Sequence, residues 1–258
     1  MDTSSVPWFE DTLAALMDRH DLSRERMRGL VQALMAGRCG EAEAAALLVA
    51  LAMKGETAGE IAAAAEVLRE HMVPLETGSP DAIDTCGTGG DGLGTFNIST
   101  ATALVAAAAG LAVVKHGNRA VSGRSGSADV LAALGVHVEG DVGFARRCLD
   151  RTGLAFCFAP HFHPALKHLA PLRRRLRVRT MFNCLGPLAN PGRAPYQLLG
   201  VGRPELLDPL AGALAELGTR SAASKAAAAL ASTTRVGGPG RPASTDRTRA
   251  ALSSGPRA

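Results

Sequence analysis

Two glycine-rich stretches carry residues suited to holding phosphate. Gly87-Thr88-Gly89-Gly90-Asp91 follows the short apolar run Ala82-Ile83, and Lys115-His116-Gly117-Asn118-Arg119-Ala120-Val121-Ser122-Gly123 begins about twenty-five residues later. Glycine lets backbone N–H groups approach phosphate oxygens with no Cβ in the way. Between the two stretches, Asn97-Ile98-Ser99-Thr100 opens a helix, where partial positive charge holds anions. Asn97, Ser99 and Thr100 add side-chain donors, and the Ser99 hydroxyl is a candidate ligand for Mg²⁺. Together these residues suit a cradle for a doubly phosphorylated sugar. The plainer reading of each part is a tight turn at 87–91, with Asp91 capping its amides, and ordinary N-capping by Ser99.

Lys115 ends an apolar strand. A lysine there usually points to solvent, but beside His116, Gly117, Asn118 and Arg119 it is expected to meet an anion. His116 reads equally well as a satisfied structural histidine. Ser122, Gly123 and Ser127 form a second nest of small residues before a helix. The run from Arg173 to Arg179 holds five arginines. Arg174, Arg175 and Arg177 are read as a solvated face, around one arginine able to grip a carboxylate in a bidentate pair. His161, His163 and His168 have no cysteine or acid at zinc-ligand spacing. Neither a Walker loop nor a nucleophile elbow is present.

The elements that must position these groups fall into two patterns. Residues 8–72 read as helices only. One spans 24–36 with Ser23 as its cap, one spans 41–54 before Gly55, and one starts at the capping box Thr57–Glu60. From about residue 80, strands alternate with helices. Strands are expected at Ala82–Thr85, Leu111–Lys115, Val136–Val138, Leu154–Phe158 and Gln197–Val201. Helices are expected at Ser99–Ala109, Ser127–Leu134 (capped by Ser127), Val142–Arg151 and Pro204–Leu217. This alternation implies an α/β fold: a small helical domain plus a mainly parallel sheet flanked by helices, with ligands bound beyond the carboxyl ends of the strands.

Composition narrows the function classes. Aromatic residues are only 3% of the 258, too few for the stacking platforms of a single-strand nucleic-acid binder. The net charge of +4 belongs to the tail. Residues 219–258 hold seven Lys/Arg and one acid, so residues 1–218, with 21 basic and 23 acidic residues, carry −2. The body therefore has no basic surplus for nucleic acid. Five scattered cysteines read as reduced thiols of a cytoplasmic protein. No run has the ~20 strongly apolar residues of a membrane span, and no signal peptide is visible. The segment 219–258 has only Leu230, Val236 and Leu252 as large apolar residues. Disorder is expected there, apart from a helical piece at 221–231.

These motifs resemble those of the anthranilate phosphoribosyltransferases over about residues 8–218. The resemblance rests on Gly87–Asp91, Asn97–Thr100, Lys115–Arg119, Ser125–Leu131, Phe158-Ala159-Pro160, His163-Pro164-Ala165 and, above all, the run Arg179–Pro191. It implies a helical domain of 1–75 with a return segment near 165–192, an α/β domain of 76–164 and 193–218, and a non-family tail. The implied reaction is Mg²⁺-dependent transfer of the phosphoribosyl group from 5-phosphoribosyl diphosphate to anthranilate, in a cytoplasmic homodimer. It places Gly87, Gly90, Asp91, Thr95, Asn97, Ile98, Ser99, Thr100, Lys115, His116, Gly117, Asn118, Arg119, Ala120, Val121, Ser122, Gly123 and Ser127 against the phosphoribosyl donor. Gly87, Asn118, His163 and Arg173 fall against anthranilate, with Ser99 on the metal.

The family's Asp-Glu metal pair, expected soon after Gly218, is missing, as are its last strands and helices. The change of composition there resembles a shifted reading frame. Three other readings stand beside the transferase: an impaired family member, a nucleic-acid-binding homologue, and a nucleoside phosphorylase.

Overall fold

The structure, a computed structural model, describes residues 8–89, 96–120, 125–226 and 234–237. Four helices come first: α1 (Phe9–Met17), α2 (Arg24–Met35), α3 (Glu41–Lys54) and α4 (Ala58–His71). Their ends follow the local sequence. Ser23 Oγ accepts the Arg26 amide at 3.2 Å, and Gly55 stops α3 at a φ of 87° that an L side chain would resist. The Thr57–Glu60 box closes in both directions. Glu60 is fully buried and is satisfied by the Leu22 amide and Lys54 Nζ, each at 2.8 Å. A buried carboxylate survives only with such partners.

The second part alternates β1 (Ile83–Gly87), α5 (Ile98–Ala108), β2 (Val113–Gly117), α6 (Ser127–Ala133), α7 (Val142–Thr152) and β3 (Leu154–Phe158). After β3 the chain returns to the bundle through α8 (Ala159–Phe162), α9 (Leu169–Leu176) and α10 (Phe182–Leu185). It then forms β4 (Tyr196–Val201), α11 (Leu207–Glu216), β5 (Ser221–Ala226) and β6 (Thr234–Gly237). The sheet order is β3-β2-β1-β4-β5-β6, with β6 alone antiparallel. From β1 the chain first steps outward to β2 and β3, then crosses back to β4 and β5. That reversal opens a crevice beyond the carboxyl ends of β1 and β4, where ligands of such sheets bind.

One core joins the parts. Leu30, Leu47 and Leu68 of the bundle pack with Leu169, Phe182 and Leu188 of the return segment, and with Leu199 and Leu214 behind the sheet. The crevice is thereby held between the bundle side and the strand ends.

Several local expectations change. Val136–Val138 is not a strand: Val136 and His137 are exposed, and the segment is a loop between α6 and α7. Ser99 does not cap α5; Asn97 does, its Oδ1 accepting the Thr100 amide at 3.0 Å. Ser127 does not cap α6. Gly126 is the cap, and Asp129 Oδ2 accepts its amide at 2.8 Å. The expected helical piece at 221–231 begins instead as β5, paired along its length with β4. Alanine is a weak strand former, so the ready-made edge of β4 overrides local propensity. Of the disorder expected over 219–258, Thr234–Gly237 is instead the strand β6, paired antiparallel with β5, and residues 227–233 and 238–258 lie outside the described residues.

Candidate functional site

The crevice is built first from backbone. Gly87 ends β1, and a Cβ there would lie 3.2 Å from the Gly200 carbonyl of β4. Thr88 ties the two loops together. Its amide donates to Gly200 O at 2.9 Å, and its Oγ1 accepts the Gly202 amide at 2.9 Å. Gly89 follows with φ 63°. Gly90, Asp91 and Thr95 lie outside the described residues.

Opposite this loop stands the first turn of α5. Asn97 Oδ1 accepts both the Thr100 amide and Ser99 Oγ, each at 3.0 Å. Ile98, the first helical residue, is exposed, and Thr100 is buried with its hydroxyl unpartnered. Thr85 Oγ1 donates to Ser99 O at 2.8 Å, which seats the turn on β1.

Lys115 is not at a strand tip. β2 continues to Gly117, and the Lys115 side chain is 1% exposed. Its ammonium donates to Thr85 O at 2.7 Å and Ser99 Oγ at 3.1 Å. It has no salt-bridge partner among the described residues. Burial lowers its pKa, opposed by the charge of Asp84. A buried cation at the positive end of a helix, with no paired anion, is an unfavourable arrangement that a bound anion would relieve.

The second loop folds around Gly126. A Cβ at that position would collide with Asn118 O and the Ala120 amide. Asp129 Oδ2 also accepts the Ala120 amide at 2.8 Å, so one carboxylate gathers both ends of the loop. Asn118 Oδ1 accepts the Arg119 amide, and Asn118 O the Ala128 amide. Arg119 points away from the first loop: it pairs with Glu139 at 2.6 Å and lies 5.9 Å over the Phe158 ring. Ser127 packs against Gly117, where a Cβ would sit 2.8 Å from the Ser127 Cβ. Val121, Ser122 and Gly123 lie outside the described residues.

His116 and His163 are both buried, with ring centroids 4.9 Å apart. His116 Nδ1 lies 3.0 Å from Gly186 O, which makes that nitrogen the protonated donor. Both Nε2 atoms lack partners. Burial depresses both pKa values, to about 3 for His116 and about 4 for His163, so both rings are neutral. Arg173 lies in the last turn of α9, 5.6 Å over Phe182, half-buried and with no ion-pair partner among the described residues. Burial lowers its pKa.

Several supporting residues escape sequence reasoning. Arg179 donates to Thr88 O at 3.0 Å and so links the return segment to the first glycine loop. Asp84 is buried behind β1, and Gln197 donates to it at 3.1 Å and to Pro187 O at 2.5 Å. Asn190 donates to Val114 O at 2.7 Å. For Asp84 and Gln197 the signal in the sequence was a polar residue inside an otherwise apolar strand; Arg179 and Asn190 stood in the run Arg179–Pro191 without a role assigned.

Mg²⁺ prefers oxygen ligands, above all carboxylates. Among the described residues no group of three His, Cys, Asp or Glu could hold a metal. Ser99 Oγ already faces the Lys115 ammonium. These residues do not fit a protein-held Mg²⁺, and no chemical step is derived through one.

Comparison with known proteins places this geometry. The helical bundle domain of the glycosyl transferase family matches residues 10–72, and that family's a/b domain matches residues 79–234. The second match runs past Gly218 and takes in β5. The chain is 52% identical over 213 residues to an anthranilate phosphoribosyltransferase of Anaeromyxobacter sp. (strain Fw109-5), covering 83% of this chain and 63% of that protein. It therefore spans less than two thirds of that relative's length. The crystal structure of anthranilate phosphoribosyltransferase from Thermus thermophilus matches with a TM-score of 0.77 and 47% identity, covering 83% of this chain and 66% of that one. The enzyme from Saccharomyces cerevisiae in complex with PRPP and Mg matches with a TM-score of 0.76 and 28% identity, over 85% and 66% of the two chains.

Proposed function

This chain belongs to the glycosyl transferase family that includes the anthranilate phosphoribosyltransferases, and we propose that its site transfers the 5-phosphoribosyl group from 5-phosphoribosyl diphosphate to the amine of anthranilate. The observation that carries the reading is Lys115: a buried ammonium without a paired anion, set at the N-terminus of α5 between two glycine loops. An oligophosphate supplies the missing charge.

In this reading the Gly87–Gly89 amides, Asn97, Ser99 and Lys115 receive the diphosphate side of the donor, and the loop over Gly117–Ala120 receives its phosphorylated sugar. Asn118, His163 and Arg173 receive anthranilate, with the Arg173 guanidinium on the carboxylate. Departure of diphosphate leaves an oxocarbenium-like sugar, so the catalytic task is to stabilise leaving-group charge and hold the amine in line. An aromatic amine attacks without prior deprotonation. That agrees with neutral His116 and His163; the His116 ring, with its proton on Nδ1, can only accept at Nε2. Mg²⁺ would arrive with the donor's phosphates and belongs to the proposal only in that form. The same reading makes the protein a cytoplasmic homodimer; the five free cysteines suit a reducing compartment.

A second reading, binding of the donor without turnover, is favoured by the absence of a metal-ligating cluster among the described residues. One experiment separates the two. Anthranilate fluorescence is followed with the purified chain, 5-phosphoribosyl diphosphate and Mg²⁺. Loss of signal that needs all three supports transfer. Steady fluorescence, together with calorimetric binding of the donor, leaves the second reading.

A further inference from the structure

Four consecutive residues beneath the crevice are held from outside. The 3₁₀ turn Gly186–Leu188 and the following Ala189 carry no polar side chain, and Pro187 has no N–H. The turn's internal bond, from the Ala189 amide to Gly186 O, is long at 3.3 Å. Such a turn does not fix its own geometry. Pro187, Leu188 and Ala189 are nevertheless buried, so their carbonyls need partners.

Each partner comes from a different part of the chain. His116 Nδ1 of β2 donates to Gly186 O at 3.0 Å, Gln197 Nε2 of β4 to Pro187 O at 2.5 Å, and Arg69 Nε of α4 to Leu188 O at 2.7 Å. The Ala189 backbone hydrogen-bonds the His163 ring. Just downstream, Asn190 Nδ2 donates to Val114 O at 2.7 Å and pins the end of the turn to β2. The outer two residues of the four therefore hold the histidine pair, and the inner two are held by Gln197 and Arg69.

Arg69 is half-buried and has no ion-pair partner among the described residues. Burial, with Arg193 nearby, pulls its pKa down to about 10. Burying an unpaired cation is unfavourable, and the carbonyls that it holds offset that cost. Its Nη1 also reaches Leu217 O at 3.4 Å, so one side chain ties the bundle to the turn and to the end of α11. Gln197 is buried, and its amide is further fixed by donating to Asp84 Oδ2 at 3.1 Å.

We propose that Arg69 and Gln197 are positioning residues: by holding Leu188 O and Pro187 O they fix the turn that orients His116 and His163. The tautomer of a histidine is set by the hydrogen bond that one of its nitrogens makes. Gly186 O keeps the His116 proton on Nδ1 and leaves Nε2 bare. A relaxed turn withdraws that acceptor, and the tautomer protonated on Nε2 then competes. Neither Arg69 nor Gln197 has to touch a ligand. The inference rests on the transferase reading only where it concerns anthranilate.

The test is NMR of the ring nitrogens in the full chain labelled with ¹⁵N-histidine, with signals assigned from His116→Gln and His163→Gln. In the wild type, His116 should show a protonated Nδ1 and a bare Nε2. Arg69→Met and Gln197→Met each remove the donor while keeping much of the side-chain volume. Either should convert the His116 signals to a mixture of tautomers. Arg69→Lys, which keeps a donor within reach of one carbonyl, should return the pattern toward wild type. Anthranilate affinity, read by fluorescence titration, should fall roughly tenfold in both Met variants, with diphosphate affinity unchanged in calorimetry. Thermal melts monitor folding; the two variants act from different elements, so if one fails to fold the other still decides. An unchanged His116 tautomer in a folded Met variant overturns the proposal, and so does an equal loss of affinity for both ligands. If the wild-type chain binds no anthranilate, the transferase reading falls, and the tautomer alone decides the positioning role.

Discussion

Lys115 Nζ lies 3.1 Å from Ser99 Oγ, joining the middle of β2 to the first turn of α5 inside the protein. The contact puts a cation where a helix already carries partial positive charge. The first glycine loop and the helix terminus are therefore held together by a group that itself favours an anion.

Binding of diphosphate should consequently take up protons. Burial lowers the Lys115 pKa in the free protein, and an anion beside the ammonium raises it again. In calorimetry at alkaline pH, the apparent enthalpy should depend on buffer ionisation enthalpy with the sign of proton uptake. Lys115→Met should bind diphosphate at least tenfold more weakly and lose that dependence. A buffer-independent enthalpy in the wild type would remove Lys115 from the anion site.

The histidine pair should set acid stability. Each ring is held below the ordinary value of 6.5, to about 3 for His116 and about 4 for His163. Below pH 6.5 the unfolded chain therefore binds protons that the folded chain refuses. Stability is full above that pH and falls toward pH 4 by up to about 1.4 kcal/mol per pH unit for each histidine. Urea midpoints at pH 7.5, 6 and 5 measure the slope. His163→Asn should roughly halve it; an unchanged slope would mean that other groups dominate.

Gly126→Ala tests the second loop. Its Cβ would meet backbone atoms of Asn118 and Ala120, which cannot swing aside as a side chain can. We expect a loss of about 1–3 kcal/mol of stability. Donor affinity should fall further than the stability loss explains, because the loop is displaced. Gly37→Ala, in open space although at φ 65°, is the control for backbone strain alone.

Arg173→Lys should separate the two substrates. The guanidinium has no ion-pair partner among the described residues and is available to a carboxylate. Losing a bidentate, charge-assisted pair costs about 1.5–3 kcal/mol, so anthranilate affinity should fall roughly ten- to a hundredfold, while donor affinity is unchanged. Fluorescence titration reads the first and calorimetry the second. Equal losses for both ligands would indicate a structural role on Phe182.

Gln197→Leu probes the polar contacts beneath the crevice. It removes the donor to Asp84 and Pro187 O together. We expect destabilisation of about 1–3 kcal/mol, partly recovered in Gln197→Leu/Asp84→Asn, since burial already raises the Asp84 pKa and disfavours its charge. Denaturant midpoints for the wild type, the two single variants Gln197→Leu and Asp84→Asn, and the double variant give the coupling.

By itself the sequence determined most of the order of the elements and where the two glycine loops fall. Helix caps, glycines after helices and apolar periodicity are local signals; the Ser23 cap, the Thr57–Glu60 box and β3 at Leu154–Phe158 stand where local pattern put them. The two glycine loops were legible for the same reason, since backbone freedom is written in residue type. Tertiary structure decided what depends on neighbours distant in sequence. Ser221–Ala226 became a strand because the edge of β4 supplied hydrogen bonds that its own composition would not have sought. Lys115 turned inward because β2 continued past it and α5 closed over it. Asp84, Gln197 and Arg179 gained their partners only when segments about ninety or more residues apart met at the crevice. A single side chain carries no record of which distant group will satisfy it, and packing alone makes that choice.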